Sequence, residues 1–369
     1  MSMRKPQRGL VFRLTAVLLT GALLAGSLTG CASNQGAPAQ SSQVGTEQPQ
    51  PGESANLTPE QYEAAYQAEP AAKRVIHIGY NGGLCQAPIA IAQEKGFFEA
   101  EGLNTELTRA EDTRDAIVGG KIDTSAGMVA GWLKPITSGV DLVFTVGLHT
   151  GCASAIALTD SPINSFADAK GKVVAINGGI GGIYHSIAYR LIAHDGYVPG
   201  DFTWKDFPAE QALQVLQKGE ASIAVLADQL AEKWVQEGLV KRIRSTTLDE
   251  DFKNETCCVL GISGDFIREN PVTAEKITRA IYKASLWVEE NKEETAQILL
   301  DNKHISGSVD YAVDLLKLYN YNVTNDGTEK SIYDSIDEYK ALGVIDQNLD
   351  AETFKKQVWH RFELEDLKN

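Results

Sequence analysis

Tyr80-Asn81-Gly82-Gly83-Leu84 and Ile176-Asn177-Gly178-Gly179-Ile180 are two copies of one short stretch. Each follows an apolar, strand-like run (Val75–Gly79 and Lys172–Ile176) and each precedes a helical pattern. The first N–H groups of a helix have no partner within it, so a strand, a tight glycine turn and a helix start make a backbone site for an anion or a dipole. Glycine permits the turn and lets a ligand come close to the main chain. One such turn is an ordinary βα connection. Two in matching contexts mark a repeat.

Outward from Asn81 the pattern runs turn, helix, strand, helix, glycine, strand, ending near Gly127; outward from Asn177 it runs the same way, ending near Asp228. Strands alternating with helices imply parallel sheets, whose ligands sit beyond the carboxyl ends of the strands. That rule places Asn81, Gly83, Leu84, Cys85 and Gln86, then Gly127 and Met128, then His149, Thr150 and Cys152, on one rim. The fold expected is α/β with two lobes and a cleft between them. Thr256–Ile262 reads as a returning strand, and helical patterns over Pro271–Asn302, Val309–Leu318, Lys330–Leu342 and Ala351–Trp359 complete the first lobe. The glycines around Gly179 are not a dinucleotide fingerprint, because Tyr184 stands where the third glycine belongs, and no Walker lysine follows.

The chain has 369 residues, 43% of them hydrophobic, enough for more than one core, and a net charge of -15. Such an acidic surface argues against binding nucleic acid or an anionic membrane through the folded part. Met1–Arg13 is basic and Leu14–Leu24 mostly apolar, which reads as a secretory leader too short to span a bilayer. Leu28-Thr29-Gly30-Cys31 closes it and resembles a bacterial lipobox, which implies cleavage before Cys31 and a lipid on its thiol. Ala32–Thr58 is poor in large apolar residues and reads as a tether, and Thr58-Pro59 opens a short helix. Boundaries are expected at 1–30 for the leader, 31–73 for tether and helix, 74–158 for the first part of lobe one, 159–250 for lobe two and 251–369 for the completion of lobe one.

Gly96-Phe97-Phe98-Glu99-Ala100-Glu101-Gly102-Leu103, Gly120-Lys121-Ile122-Asp123 and Asn164–Ala175 with its Lys170-Gly171-Lys172-Val173 core resemble motifs of one family. These are the solute-binding lipoproteins of bacterial ABC importers, in the branch that includes nitrate-, sulfonate-, taurine- and thiamine-pyrimidine-precursor-binding proteins. Ala169 departs from that family's usual leucine. The resemblance implies a type II periplasmic-binding fold that closes on its solute, partners in a permease and an ATPase, a monomer at the outer face of the membrane, and no cofactor. By position it adds Gly178, Gly179, Ile180, Gly181, Asp228, Thr256 and Cys257 to the cleft, where Tyr184 would stack on a planar solute or pack in the core. None of these turns carries Arg or Lys, unlike the basic pockets of nitrate and sulfonate binders. Asp228 would hold a cationic group or cap its helix. Cys85, Cys152, Cys257 and Cys258, with His149 nearby, read as buried filler or a disulfide sooner than as a metal site, and Cys257 and Cys258 should point to opposite strand faces. No nucleophile–base pair at a known spacing appears, so the expectation is a receptor and not an enzyme. The alternatives are a synthase on the same fold, since related thiamine-pyrimidine synthases carry cysteine-rich and histidine-bearing segments, or a ligand sensor.

Overall fold

The computed structural model describes residues 57–364 and Leu367, so the leader, Cys31 and most of the tether lie outside the described residues. Thr58 starts the helix Pro59–Ala68 through a capping box with Gln61, as its sequence predicts. This helix belongs to the folded body. The Tyr66 hydroxyl donates to the Gly102 carbonyl at 2.9 Å. Just beyond it, the buried Glu69 carboxylate accepts from the Val272 and Thr273 N–H groups at 2.7 and 2.8 Å, capping the helix Pro271–Glu290.

The first sheet holds β1 (Ile76–Tyr80), β2 (Thr105–Arg109), β3 (Thr124–Met128), β4 (Leu142–Thr150) and the late strand β10 (Thr256–Ser263), in the order β2-β1-β3-β10-β4. The second holds β5 (Ala153–Leu158), β6 (Val173–Ile176), β7 (Thr203–Asp206), β8 (Ile223–Ala227) and β9 (Val240–Ser245), in the order β7-β6-β8-β5-β9. The repeat is visible in this layout. In each sheet four strands run parallel to one another. The fifth, antiparallel strand enters straight from the other lobe: β5 follows β4, and β10 follows β9. The second sheet therefore begins at Ala153 and not at 159. Ala153–Leu158 is an apolar run separated from β4 by only Gly151 and Cys152, too short a break to register as a change of lobe. The edge strand β9 also escapes the sequence, because Lys241, Arg242 and Arg244 give it the charged face that protects sheet edges. Asn291 splits the expected helix 271–302 into Pro271–Glu290 and Lys292–Asp301. Ile332, Ile336 and Tyr339 of the helix Asn325–Ala341 pack with Trp132, Leu133, Phe144 and Val259 against the first sheet. No helix among the described residues is long and apolar enough to cross a membrane.

The chain crosses between sheets at Gly151–Cys152 and again over 246–255. The two crossings touch. A Cβ on Gly151 would come within 2.4 Å of the Thr247 hydroxyl, and both Gly151 and Cys152 have positive φ, 77° and 130°. The Cys152 N–H donates to Thr247 Oγ1 at 2.9 Å. Thr247 in turn donates to Asp228, which also accepts from Ser154 at 2.6 Å. Asp228 is thus neither a cleft residue nor a side-chain cap; it is a buried acceptor that ties β8, β5 and the second crossing together.

Burial pushes the Asp228 carboxyl above its ordinary 3.8, against the pull of its two hydroxyl donors. A raised folded-state value means that stability is greatest below the unfolded value and is lost as pH rises through the folded one. Relative to Asp228→Asn, the native chain is therefore expected to gain stability as pH falls from neutral towards 4. Asp228→Ala strands two hydroxyls and should cost about 2–3 kcal/mol. Urea denaturation at several pH values checks both. A pH-independent difference between native chain and Asp228→Asn would remove the carboxylate from this role.

Candidate functional site

Two adjoining cavities lie between the lobes. The first, about 220 Å³, is bounded by the ends of β1 and β3 (Asn81, Cys85, Gln86, Ala126–Met128), by Trp132 and Cys258, and from the second lobe by Ile183 and Tyr184. The second, about 460 Å³, is bounded by Ala130, Gly131 and Lys134 on one side and by Asn177, Gly178, Gly181, Gly182 and Tyr184 on the other. Asp112 and Arg114 border both. The lobes meet closely here: a Cβ on Gly131 would lie 2.6 Å from Ile183, and one on Gly181 would lie 2.9 Å from Lys134 Nζ.

Asn81, Gly178 and Gly181 of the two glycine turns border this space, but four N–H groups of those turns are already engaged. Asn81 N–H donates to Gln86 Oε1 at 2.8 Å, and Gly83 N–H to Asn81 Oδ1 at 2.9 Å. Gly179 N–H donates to Asp206 and Gly181 N–H to His185 Nδ1, both at 2.9 Å. Two helices start here without a side-chain cap, Val129–Thr137 and Ile183–His194, and their first turns carry N–H groups with no partner inside the helix. Buried Gln86 spends its carboxamide as a staple, its Nε2 donating to the Ala126 carbonyl at 2.6 Å. Gly127 makes room for Trp132: a Cβ there would sit 2.1 Å from the indole nitrogen, and one on Gly261 would sit 1.8 Å from the same ring.

Of the remaining expected residues, Gly83, Leu84, Gly179 and Ile180 border neither cavity, and Ile180 is exposed. Leu84 is buried beneath Tyr321, whose hydroxyl donates to its carbonyl. Thr150 is held by Asn320. Thr256 and Cys257 line a small space of about 40 Å³ beside Arg190 and Tyr339. The sequence reading missed the cations. Arg114 stands on the helix Thr113–Val118, 3.0 Å from Asp112 and 3.6 Å from Asp115, and Lys134 stands in the last turn of the helix Val129–Thr137. Neither is in a turn, so neither carried a motif. Among the described residues no carboxylate is within ion-pair distance of Lys134, and its charge joins burial in lowering the His185 pKa. Asn177 Oδ1, on the wall of the larger cavity, is a buried acceptor without a partner.

Beneath the smaller cavity the four cysteines converge. Cys152 Sγ lies 3.2 Å from Cys257 Sγ and 3.9 Å from Cys258 Sγ. The opposite-face expectation for Cys257 and Cys258 fails because β10 is irregular there. Thr256 pairs with Thr150 and Cys258 with His149, which leaves Cys257 as an extra residue that lets both thiols reach Cys152. His149 is buried against Tyr319 and Tyr321, with Nδ1 2.9 Å from the Thr150 carbonyl. Cys258 beside it, with His149 close by, outweighs burial and draws the Cys85 thiol down to about 5.

The model of the NMT1-like family matches residues 69–300. The chain is 27% identical over 331 residues to the nitrate/nitrite binding protein NrtA of Nostoc sp., covering 80% of this chain and 71% of that protein. It is 26% identical over 289 residues to the 4-amino-5-hydroxymethyl-2-methylpyrimidine phosphate synthase of Schizosaccharomyces pombe, covering 71% and 79%. The crystal structure of the periplasmic nitrate-binding protein NrtA from Synechocystis PCC 6803 matches with a TM-score of 0.65 at 20% identity, over 77% of this chain and 86% of that one. That likeness shows the two-lobed periplasmic-binding fold.

Gly127→Ala is expected to expel the Trp132 indole from its slot, lowering stability by about 1–3 kcal/mol and shifting tryptophan emission to the red. Equilibrium unfolding followed by fluorescence tests this. Native emission and stability in the variant would mean that the slot yields without cost.

Proposed function

The chain belongs to the NMT1-like family, and from that premise we propose that it is the solute-binding component of an ABC importer, held at the outer face of the membrane by a lipid on Cys31. It captures a small polar or anionic organic solute and delivers it to a permease driven by an ATPase. The observation that carries this reading is the pair of adjoining cavities between the lobes, bordered together by Arg114 and flanked by Lys134 and two uncapped helix starts. Positive groups and free N–H donors suit a sulfonate, carboxylate or nitrate. Asp112 and the unpartnered Asn177 oxygen suit an amino group at the other end of the same solute. A compound with both, of the taurine or aminopyrimidine kind, satisfies more of the wall than a bare anion does.

A second reading has its own support. Pyrimidine phosphate synthases stand among the relatives at 26–30% identity, and the Cys85 thiol, drawn down to about 5, lies within 4.8 Å of a His149 ring nitrogen at the smaller cavity. On that reading the cleft performs turnover.

A thermal-shift panel of nitrate, taurine, alkanesulfonates, aminopyrimidines and flavins separates the classes. At least one of the first four is expected to raise the melting temperature. Arg114→Ala and Lys134→Ala should each weaken that ligand about tenfold to a hundredfold in calorimetry, without loss of folding. Native affinity in both variants would place the site elsewhere. Product formation from an aminopyrimidine precursor with added metal would favour the enzyme.

A further inference from the structure

The cluster under the smaller cavity has the make-up of a metal site. Cys85 Sγ, a ring nitrogen of His149 and Cys258 Sγ lie within 4.8 Å of one another, as do the thiols of Cys152, Cys257 and Cys258. Two thiolates and an imidazole around a tetrahedral d¹⁰ ion sit about 3.5–4 Å apart, so small side-chain shifts close the first set around an ion. Each ligand comes from a different part of the first lobe: Cys85 from the turn after β1, His149 from the end of β4, and Cys258 from β10, where it pairs with His149. His149 is oriented for the purpose. Nδ1 donates to the Thr150 carbonyl, which fixes the tautomer and leaves the lone pair on Nε2, a fully buried atom with no hydrogen-bond partner among the described residues. Tyr319 and Tyr321 pack against the ring and hold its plane.

We propose that Cys85, His149 and Cys258 bind one thiophilic d¹⁰ cation, Zn²⁺ or Cu⁺, at the floor of the interlobe cleft. Sulfur donors with one imidazole select these ions over Mg²⁺ or Ca²⁺, which take oxygen. Cys85 and Cys258 both line the smaller cavity, so the remaining coordination position faces the space between the lobes. Cys152 and Cys257 form a separate pair behind, 3.2 Å apart, and neither is a proposed ligand. No recognised ligand spacing announces this site, because its three residues are brought together from positions 85, 149 and 258 by sheet pairing.

The inference does not rest on the identity of the solute, since metal binding is measured without one. The mature chain, purified under reducing, anaerobic conditions, is titrated with Zn²⁺ and separately with Cu⁺, and metal content is read by mass spectrometry after removal of the excess. Binding of one equivalent is expected. Co²⁺ loading should give thiolate charge-transfer and tetrahedral d–d absorption. Cys85→Ala and His149→Ala should each weaken binding by more than about tenfold, while Cys152→Ala leaves it within about twofold. Cys85 is half-buried in a turn, so its variant is expected to keep the native circular dichroism even if a Cys258 or His149 variant does not. Absence of a bound equivalent, native affinity in Cys85→Ala, or recovery of Cys258 in a disulfide from the natively isolated protein overturns the proposal.

Discussion

The two interlobe crossings pack on each other, and the rest of the structure depends on that contact. Gly151 leaves no room for a Cβ against Thr247, and Asp228 gathers the Thr247 and Ser154 hydroxyls beneath it. Because the crossings are this close, each sheet receives its antiparallel strand from the other lobe, and the strand ends of both sheets open onto one space. Buried Arg190 adds a second tie. It spans from the second lobe to Glu255 beside the crossing at 2.9 Å and to Glu338 on a first-lobe helix at 2.6 Å. A buried ion pair adds little net stability against its desolvation, but leaving one member alone is costly, so such a bridge restricts how the lobes can sit.

The electrostatics of the cleft run against those of the chain. With a net charge of -15 the surface repels anions at long range, and screening confines that repulsion to about 10 Å. Inside the cleft the nearby charges decide. Arg114 is paired with Asp112 and Asp115, whereas Lys134 has no such partner among the described residues. Positive charge therefore stands at the lip where Lys134 meets Gly181, while Asp112 and Arg114 border both cavities. A solute carrying both signs can meet both kinds of group, and a simple anion uses only one.

The parallel strands were legible because a β run, a glycine stop and a helical stripe are local signals. Two strands of the second sheet were not: β5 hides in continuous apolar sequence and β9 under charge. The two glycine turns were legible as positions and misread as donors, because the groups that occupy their N–H atoms, Asp206 for Gly179 and Gln86 for Asn81, are set by tertiary packing or carry no motif. Arg114 and Lys134 stand one and two helical turns from the strand ends, outside any turn motif, and only the docking of the second lobe makes them walls of a cavity. The convergence of Cys257 and Cys258 depends on one extra residue in β10, and alternation along an ideal strand cannot foresee a bulge.

That extra residue also joins the three themes of the molecule. β10 begins where the second crossing ends, so the irregularity at Cys257 lies between the tie that sets the lobes and the floor of the cleft. Cys152 sits at the matching point of the first crossing, in a backbone conformation that side chains seldom adopt, and its N–H is held by Thr247. Strain of this kind persists only where the surroundings hold it in place, and here they hold it so that a thiol faces two others. A crossing made only to connect lobes would place glycine at both 151 and 152 and avoid the strain. A cysteine at the second position puts a thiol at the junction, 3.2 Å from Cys257 Sγ and 3.9 Å from Cys258 Sγ.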